Sequence, residues 1–139
     1  MYLSTTQANV VSGGDYVVEL DTTQLDNAGV MGSTGNNRII IARPATYYIS
    51  GVAVFVSISA ATRVHTITSK NGTLFGPFSE GSASAGAYAG FNVSFEAALV
   101  ASDYIQLQGF HNAGSDQTFY GAAFSVAPSQ LTVSEKPTW

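Results

Sequence analysis

The chain has 139 residues, a formal net charge of −4 and no cysteine. This length fits one domain whose core is large enough to be stable without disulfides or a structural metal. The lack of cysteine excludes disulfides and thiolate metal sites. Nucleic acid is not an expected partner, because phosphate binding needs clustered Lys and Arg, whereas the basic residues here are few and scattered.

The residues that favour strands (Val, Ile, Thr, Tyr and Phe) recur along the chain between Gly, Asn, Ser and Asp, and no window shows an amphipathic helix. Residues 21–37 are rich in Asp, Asn, Gly and Thr and predict a long loop. We expect strands within residues 15–20, 38–42, 47–59, 63–69, 73–78, 89–100, 104–110 and 117–126, with a short edge strand at 129–133. So many short strands predict a sandwich or barrel.

The longest predicted strand, residues 47–59, is apolar on both faces. Tyr48 and Val52 lie on one face of it, and Tyr47, Ile49 and Phe55 lie on the other. A strand of this kind is expected to be covered on both sides. Because each sheet of a two-layer sandwich has one face toward solvent, we interpret the second apolar face as a contact with another subunit.

Two further patterns are clear. Lys70-Asn71-Gly72 predicts a tight turn, since Asn and Gly accept positive φ angles. Residues 89–100 alternate cleanly, with apolar side chains such as Phe95 on one face and Asn92, Ser94 and Glu96 on the other.

Only 10% of the residues are charged, against about 25% in a typical soluble domain. We interpret this deficit as surface covered by other protein, the alternative being that Ser, Thr, Asn and Gln solvate the surface. The first residues carry no basic stretch before an apolar run, so a secretory leader is not expected, and no run approaches the ~18 apolar residues of a membrane span.

Four segments in order resemble motifs of the complement-globular-head and tumour-necrosis-factor superfamily of trimeric jelly rolls. Ala45 and Ile49 depart from the Gly and Phe of the first motif, and Ser102 replaces a glycine in the third. The segments are Pro44-Ala45-Thr46-Tyr47-Tyr48-Ile49, Lys70-Asn71-Gly72, Leu99-Val100-Ala101-Ser102-Asp103-Tyr104-Ile105-Gln106-Leu107 and Phe119-Tyr120-Gly121-Ala122-Ala123-Phe124.

The resemblance implies an all-β, antiparallel two-sheet jelly-roll sandwich that forms a homotrimer, with the inner sheets meeting at the three-fold axis. The candidate trimer-interface residues are Tyr47, Ile49, Phe55, Tyr120 and Phe124. The phrase Tyr104-Ile105-Gln106-Leu107-Gln108 and the many Gln and Asn residues look most like the versions found in bacteriophage particles.

We therefore expect a virion structural protein, a head decoration or cement protein that binds the major capsid protein on the capsid exterior after assembly in the host cytoplasm. Residues 1–14 are expected to form an anchoring arm, residues 15–133 the jelly roll and residues 134–139 a tail. The candidate capsid contacts are Met1, Tyr2, Leu3 and Trp139.

No catalytic, cofactor or metal site is expected. His65 lies within a predicted strand and His111 beside a loop, and the chain has no Gly-x-Ser-x-Gly elbow. A sugar hydrolase would need paired carboxylates, for which Glu19 and Glu96 are the only candidates. The loop from Asp21 to Asp26 lacks EF-hand spacing, so calcium is not favoured.

The alternative function is a receptor-binding module at a fibre or tail tip, which would recognise cell-surface glycans through residues 81–88 and 111–116. The sequons at Asn71 and Asn92 are interpreted as chance matches, because no secretory leader precedes them.

Overall fold

The computed structural model describes residues 1–23, 32–33, 37–121 and 127–138. All regular structure in these ranges is β-strand, which confirms the all-β prediction. No helix in the described part of the chain is long and apolar enough to cross a membrane. The strands are β1 (Gln7–Val10), β2 (Tyr16–Val17), β3 (Gly32–Ser33), β4 (Arg38–Ile40), β5 (Ala45–Val52), β6 (Phe55–Ile58), β7 (Ala61–Lys70), β8 (Thr73–Ala83), β9 (Ala87–Ala89), β10 (Val93–Leu99), β11 (Tyr104–His111), β12 (Gln117–Phe119) and β13 (Gln130–Glu135).

The strands form three antiparallel sheets. A four-stranded sheet has the order β1-β12-β6-β9, and a three-stranded sheet has the order β10-β5-β13. A six-stranded sheet has the order β3-β4-β11-β7-β8, with β2 also paired to β11. One buried cluster joins the sheets, since Ile49 and Leu131 of the three-stranded sheet lie in it together with Leu107 of the six-stranded sheet and Phe119 of the four-stranded sheet.

The long apolar segment at residues 47–59 is two strands in different sheets. The backbone leaves the ladder at Ala53 and Val54, whose N–H groups donate to the hydroxyls of Thr66 (3.1 Å) and Ser129 (2.9 Å) instead. Before the break, β5 alternates regularly, with Tyr47 and Ile49 buried and Tyr48 42% exposed. The prediction of one continuous strand is therefore wrong, because Ala45–Val52 and Phe55–Ile58 belong to different sheets.

The predicted turn at Lys70-Asn71-Gly72 is confirmed. Asn71 has φ 52° and Gly72 has φ 82°, the paired positive values of a type I′ hairpin turn between β7 and β8. Strand β8 then continues through Pro77 to Ala83, five residues beyond the predicted end at residue 78. Proline is tolerated there because β8 is an edge strand and Pro77 lies in its irregular stretch, between the pairs Thr68–Phe75 and Thr66–Ser79.

The N-terminal segment is part of the domain. Strand β1 pairs with β12, and Tyr2 forms bridges with both Thr22 and Gln130. The N–H of Leu3 donates to the carbonyl of Ser129 (3.0 Å). Residues 1–14 are thus hydrogen-bonded into the fold at both ends of the segment, rather than extending from it as an arm.

Candidate interaction surfaces

The three-stranded sheet has one face in the core and one face exposed, and we call the exposed one the assembly face. Its register places Ser94 beside Ser50, Glu96 beside Tyr48, and Thr132 on the other side of Ser50. Small hydroxyl side chains therefore dominate this face, with the aromatic ring of Tyr48 among them. Its exposed residues are Thr46, Tyr48, Ser50, Ser94, Glu96, Ala98, Gln130, Thr132 and Ser134.

The charges on the assembly face are paired within the chain. Lys136 Nζ lies 2.8 Å from Glu96 Oε2 and 5.6 Å from the centroid of the Tyr48 ring. The hydrogen bond and charge of Glu96 raise the pKa of Lys136 above its ordinary value. Both groups are exposed, so the pair contributes little to stability. Its consequence is that the face as a whole is neutral.

A shallow depression of about 190 Å³ lies toward one end of the assembly face. Hydroxyl and amide side chains line it, and no charged side chain does. The side chains that line it most prominently are Ser50, Asn92, Ser94, Gln130 and Thr132.

The residues predicted to meet at a trimer axis lie inside the subunit. Tyr47, Ile49, Phe55 and Tyr120 are at most 1% exposed. The hydroxyl of Tyr47 donates to the carbonyl of Arg43 (2.8 Å), and Phe55 packs on other rings of the core. These side chains have almost no area left for a second subunit to cover. Phe124 lies outside the described residues.

The signal that separates the two faces of β5 is its alternation. Tyr47 and Ile49 point into the core, so Thr46, Tyr48 and Ser50 point out. The sequence does not show which set is exposed, because Tyr47 and Tyr48 are adjacent identical residues. The Ser and Thr on the Tyr48 side are the only sequence feature that favours it.

The candidate capsid contacts are placed as follows. Leu3 is 2% exposed and belongs to the core, which leaves it no surface for a second protein. The amino group of Met1 donates to the carbonyl of Leu131 (2.8 Å), while the side chains of Met1 and Tyr2 are half-buried. Trp139 lies outside the described residues.

A second surface lies on the solvent side of the six-stranded sheet, and we call it the outer patch: Asp15, Arg63, His65, Phe78, Glu80 and Phe110. His65 Nε2 lies 2.7 Å from Asp15 Oδ1, and the His65 ring stacks on Phe110 at 4.6 Å between centroids, 11° from parallel. Arg63 Nε donates to Glu80 Oε2 (2.7 Å), and its guanidinium carbon lies 5.2 Å from the centroid of Phe110.

The two histidines, His65 and His111, differ in their hydrogen-bond partners. Within the described residues, His65 Nδ1 has no hydrogen-bond partner and lies 3.9 Å from Glu80 Oε2, so no nucleophile completes a triad with the His65–Asp15 pair. His111 is fully buried, with Nε2 2.8 Å from the carbonyl of Val10 and Nδ1 accepting the N–H of Ala113 (3.3 Å). These partners assign the neutral Nε2–H tautomer to His111, which makes it a structural residue.

The carboxylates considered for metal binding or hydrolysis are not brought together. Among the described residues, no group of three or more His, Asp or Glu could hold a metal. Asp21 accepts hydrogen bonds from Ser4 and Thr22, and Asp26 lies outside the described residues. Glu96 lies on the three-stranded sheet, whereas Glu19 follows β2 on the six-stranded one.

The two loops of the receptor-binding alternative gather at one end of the molecule. The N–H of Gly86 donates to the carbonyl of Ile58, and the N–H of Asn112 donates to the carbonyl of Arg63, so both loops border the β6–β7 connection. The exposed ring of Tyr88 lies edge-on to Tyr120 in the same region, at 5.4 Å between centroids.

The topology matches known structures although the sequence does not match known families. No protein-family model matches the chain, and no curated protein is similar to it in sequence. The globular domain of zebrafish complement 1qA protein superposes with a TM-score of 0.55 at 11% identity, covering 84% of this chain and 90% of that one. Murine APRIL superposes with a TM-score of 0.57 at 12% identity, covering 84% of this chain and 92% of that one.

The fold is a jelly roll of this type. At such low identity the match shows the fold alone, and it confirms the jelly-roll prediction made from four motifs. In this fold, the motif residue Asp103 and the turn residue Asn71 are joined directly, since Asn71 Nδ2 donates to Asp103 Oδ1 (2.7 Å). Two of the motifs used for the prediction are therefore parts of one contact.

Proposed function

We propose that the protein is a structural virion component that forms a homotrimer through the assembly face and decorates a bacteriophage head. The observation that carries this proposal is the assembly face itself: a neutral sheet surface of small side chains around the half-exposed Tyr48.

Such a surface suits association with copies of itself. Small side chains let another sheet approach closely, and Tyr is enriched at interfaces because its ring buries area while its hydroxyl keeps a hydrogen bond. No unpaired charge on the face would have to be desolvated, since Lys136 and Glu96 already pair. The family resemblance favours a three-fold arrangement of such faces.

The virion role rests on two further features. A chain with only 10% charged residues is suited to a surface that is largely covered by protein. The Gln-rich segment at residues 104–108 resembles phage versions of the fold. Binding at symmetric sites of the shell would clamp neighbouring copies of the major capsid protein through buried area, for which obligate interfaces use about 2,000 Å² or more.

The assembly state is tested by light scattering on the purified protein. We expect a mass of three times 14.5 kDa for the wild type. Tyr48→Glu should give monomers, because a trimer of this variant would bring together three carboxylates, one from each chain. Leu74→Glu is the matched control, since Leu74 is similarly exposed but lies on the six-stranded sheet, and it should leave the trimer intact. A monomeric wild type, or a trimeric Tyr48→Glu, overturns the assembly proposal.

The virion role is tested separately by co-sedimentation of the trimer with purified phage heads and by electron microscopy of the decorated particles. We expect even coverage of the shell at symmetric positions. A stable trimer that does not bind heads overturns the capsid role while leaving the assembly face in place.

The second candidate function, receptor binding at a tail or fibre tip, is favoured by one observation: the exposed Tyr88 at the end where residues 84–86 and 112–116 meet. Immunogold labelling of particles separates the two functions. Label on the shell supports decoration, and label confined to the tail supports receptor binding.

A further inference from the structure

Phe78 is an exposed aromatic residue in the middle of a regular strand. Its side chain is 50% exposed although its ring lies 5.5 Å from that of His65. One side of the ring is thus held by packing and the other faces solvent. Leaving a large apolar ring in this position costs free energy, so a ligand that covers it would gain from its burial.

The groups around Phe78 are polar and fixed by one another. On one side, Arg63 pairs with Glu80, and Glu80 is two residues from Phe78 on the same face of β8. In the described structure, Glu80 engages only Nε of the guanidinium, which leaves the terminal N–H groups available as donors. The patch therefore presents a ring flanked by an oriented donor and an oriented acceptor.

His65 forms the floor of the patch. It is buried between Phe78 and Phe110 and is held by Asp15 at 2.7 Å. Because this pair and the Arg63–Glu80 pair each join a basic group to an acidic one, the patch has no excess positive charge. Phosphate, sulfate and carboxylate groups are therefore not what it would select.

We infer that the outer patch binds a neutral saccharide, which stacks one sugar ring on Phe78 and hydrogen-bonds through its hydroxyls to Arg63 and Glu80. The slightly positive C–H groups of a pyranose are attracted to the negative face of an aromatic ring. Sugar hydroxyls both donate and accept, which matches a guanidinium and a carboxylate side by side. The patch lies on the six-stranded sheet, so this inference does not depend on the assembly face.

Further side chains on the same face of the sheet would let a chain of sugars extend beyond the outer patch. The half-exposed Leu74 lies on the same strand, and Gln108 and Tyr104 lie on the same face of β11 as Phe110. A ligand longer than one sugar would follow this face rather than enter a cavity. We therefore expect oligosaccharides to bind more tightly than monosaccharides.

The experiment uses the full chain on a printed array of neutral and acidic oligosaccharides, followed by calorimetric titration with the best neutral tetrasaccharide. Phe78→Ala should weaken binding at least tenfold, and Glu80→Gln should weaken it by a similar factor. Val100→Ala is the control, because Val100 is a similarly exposed apolar residue (58%) that lies outside the outer patch, directly after β10, and it should change the affinity less than about twofold. Circular dichroism verifies that each variant is folded.

Several results would overturn the inference. Wild-type signal no higher than that of Phe78→Ala on every neutral glycan would do so, as would preference for acidic glycans. Loss of binding in Tyr88→Ala but not in Phe78→Ala would place the sugar site in the loops instead. Loss of binding to phage heads in Phe78→Ala, without binding of any glycan, would identify the patch as a protein contact. None of these results depends on the oligomeric state measured by light scattering.

Discussion

At the scale of single residues, Asp103 links the β10–β11 connection, in which it lies, to the β7–β8 turn. Its Oδ2 accepts the N–H of Val100 (3.0 Å), its Oδ1 accepts Asn71 Nδ2 (2.7 Å), and Lys70 Nζ lies 3.9 Å away. The hydrogen bonds from Val100 and then Asn71, assisted by the charge of Lys70, lower the pKa of Asp103 below 3.8, although burial acts in the opposite direction.

The lowered pKa makes this contribution pH-dependent. A carboxylate with a lower pKa in the folded state stabilises the fold above pH 3.8, and this contribution is lost as the pH falls through the lowered value. We expect Asp103→Ala to reduce the free energy of unfolding by about 1–3 kcal/mol at neutral pH, with a smaller difference from wild type in strong acid. Urea unfolding of both proteins, from neutral pH to strong acid, measures the difference in free energy of unfolding and how it changes with pH. A difference that stays constant with pH would contradict the role of the ionised carboxylate.

Ser102 occupies a backbone conformation that favours glycine. Its φ is 74°, and it stands where the resembling motif has Gly. Its N–H donates to the carbonyl of Ile41 (2.8 Å), a bond that does not need a side chain. We expect Ser102→Gly to raise the free energy of unfolding by about 0.5–1 kcal/mol, since relief of strain outweighs the added freedom of the unfolded chain. Thermal unfolding measures this, with Ala101→Gly, at an ordinary φ, as a control that should destabilise.

At the scale of elements, the strands that alternate or end at a strong turn were predictable. Strand β10 and the β7–β8 turn follow directly from side-chain period and from Asn71-Gly72. The break after β5 was not predictable, because the side chains that satisfy it, Thr66 and Ser129, are remote in sequence. Which face of β5 is exposed was not predictable either, because Tyr47 and Tyr48 are adjacent identical residues on opposite faces of the strand.

The outer patch was also beyond sequence reasoning. His65, Glu80 and Phe110 come together only through the register of β7 with β8 and β11. Asp15 joins them through the pairing of β2 with β11. Register depends on bulges such as the one between Thr66 and Thr68, which no short motif marks.

The docking of the N-terminal segment depends on one glycine. A Cβ at Gly121 would collide with the backbone of Thr5, which cannot move aside as a side chain could. We expect Gly121→Ala to destabilise the protein by about 1–3 kcal/mol and to increase hydrogen exchange in β1 first. Gly14→Ala is the control, because nothing lies within 4 Å of a Cβ there. Unchanged hydrogen exchange in β1 of Gly121→Ala would show that the N-terminal segment does not depend on the close contact between Gly121 and Thr5.

At the scale of the whole molecule, the neutral assembly face predicts how association responds to salt. Since Lys136 and Glu96 pair within one chain, the dissociation constant of the proposed trimer should change less than about threefold between about 0.05 and 0.5 M NaCl. Glu96→Lys removes this pairing and should make association weaker at low salt than at high salt. Analytical ultracentrifugation measures both proteins. A strong salt dependence of the wild type would place the interface on a different surface.

The position of β13 in the three-stranded sheet has a consequence for the order of events during synthesis. Strand β5 lies between β10 and β13, so one of its two edges stays open until residues 130–135 have left the ribosome. The proposed trimer would therefore form only between chains in which β13 has already paired with β5. Its rate of formation would then depend on the concentration of chains with a completed three-stranded sheet.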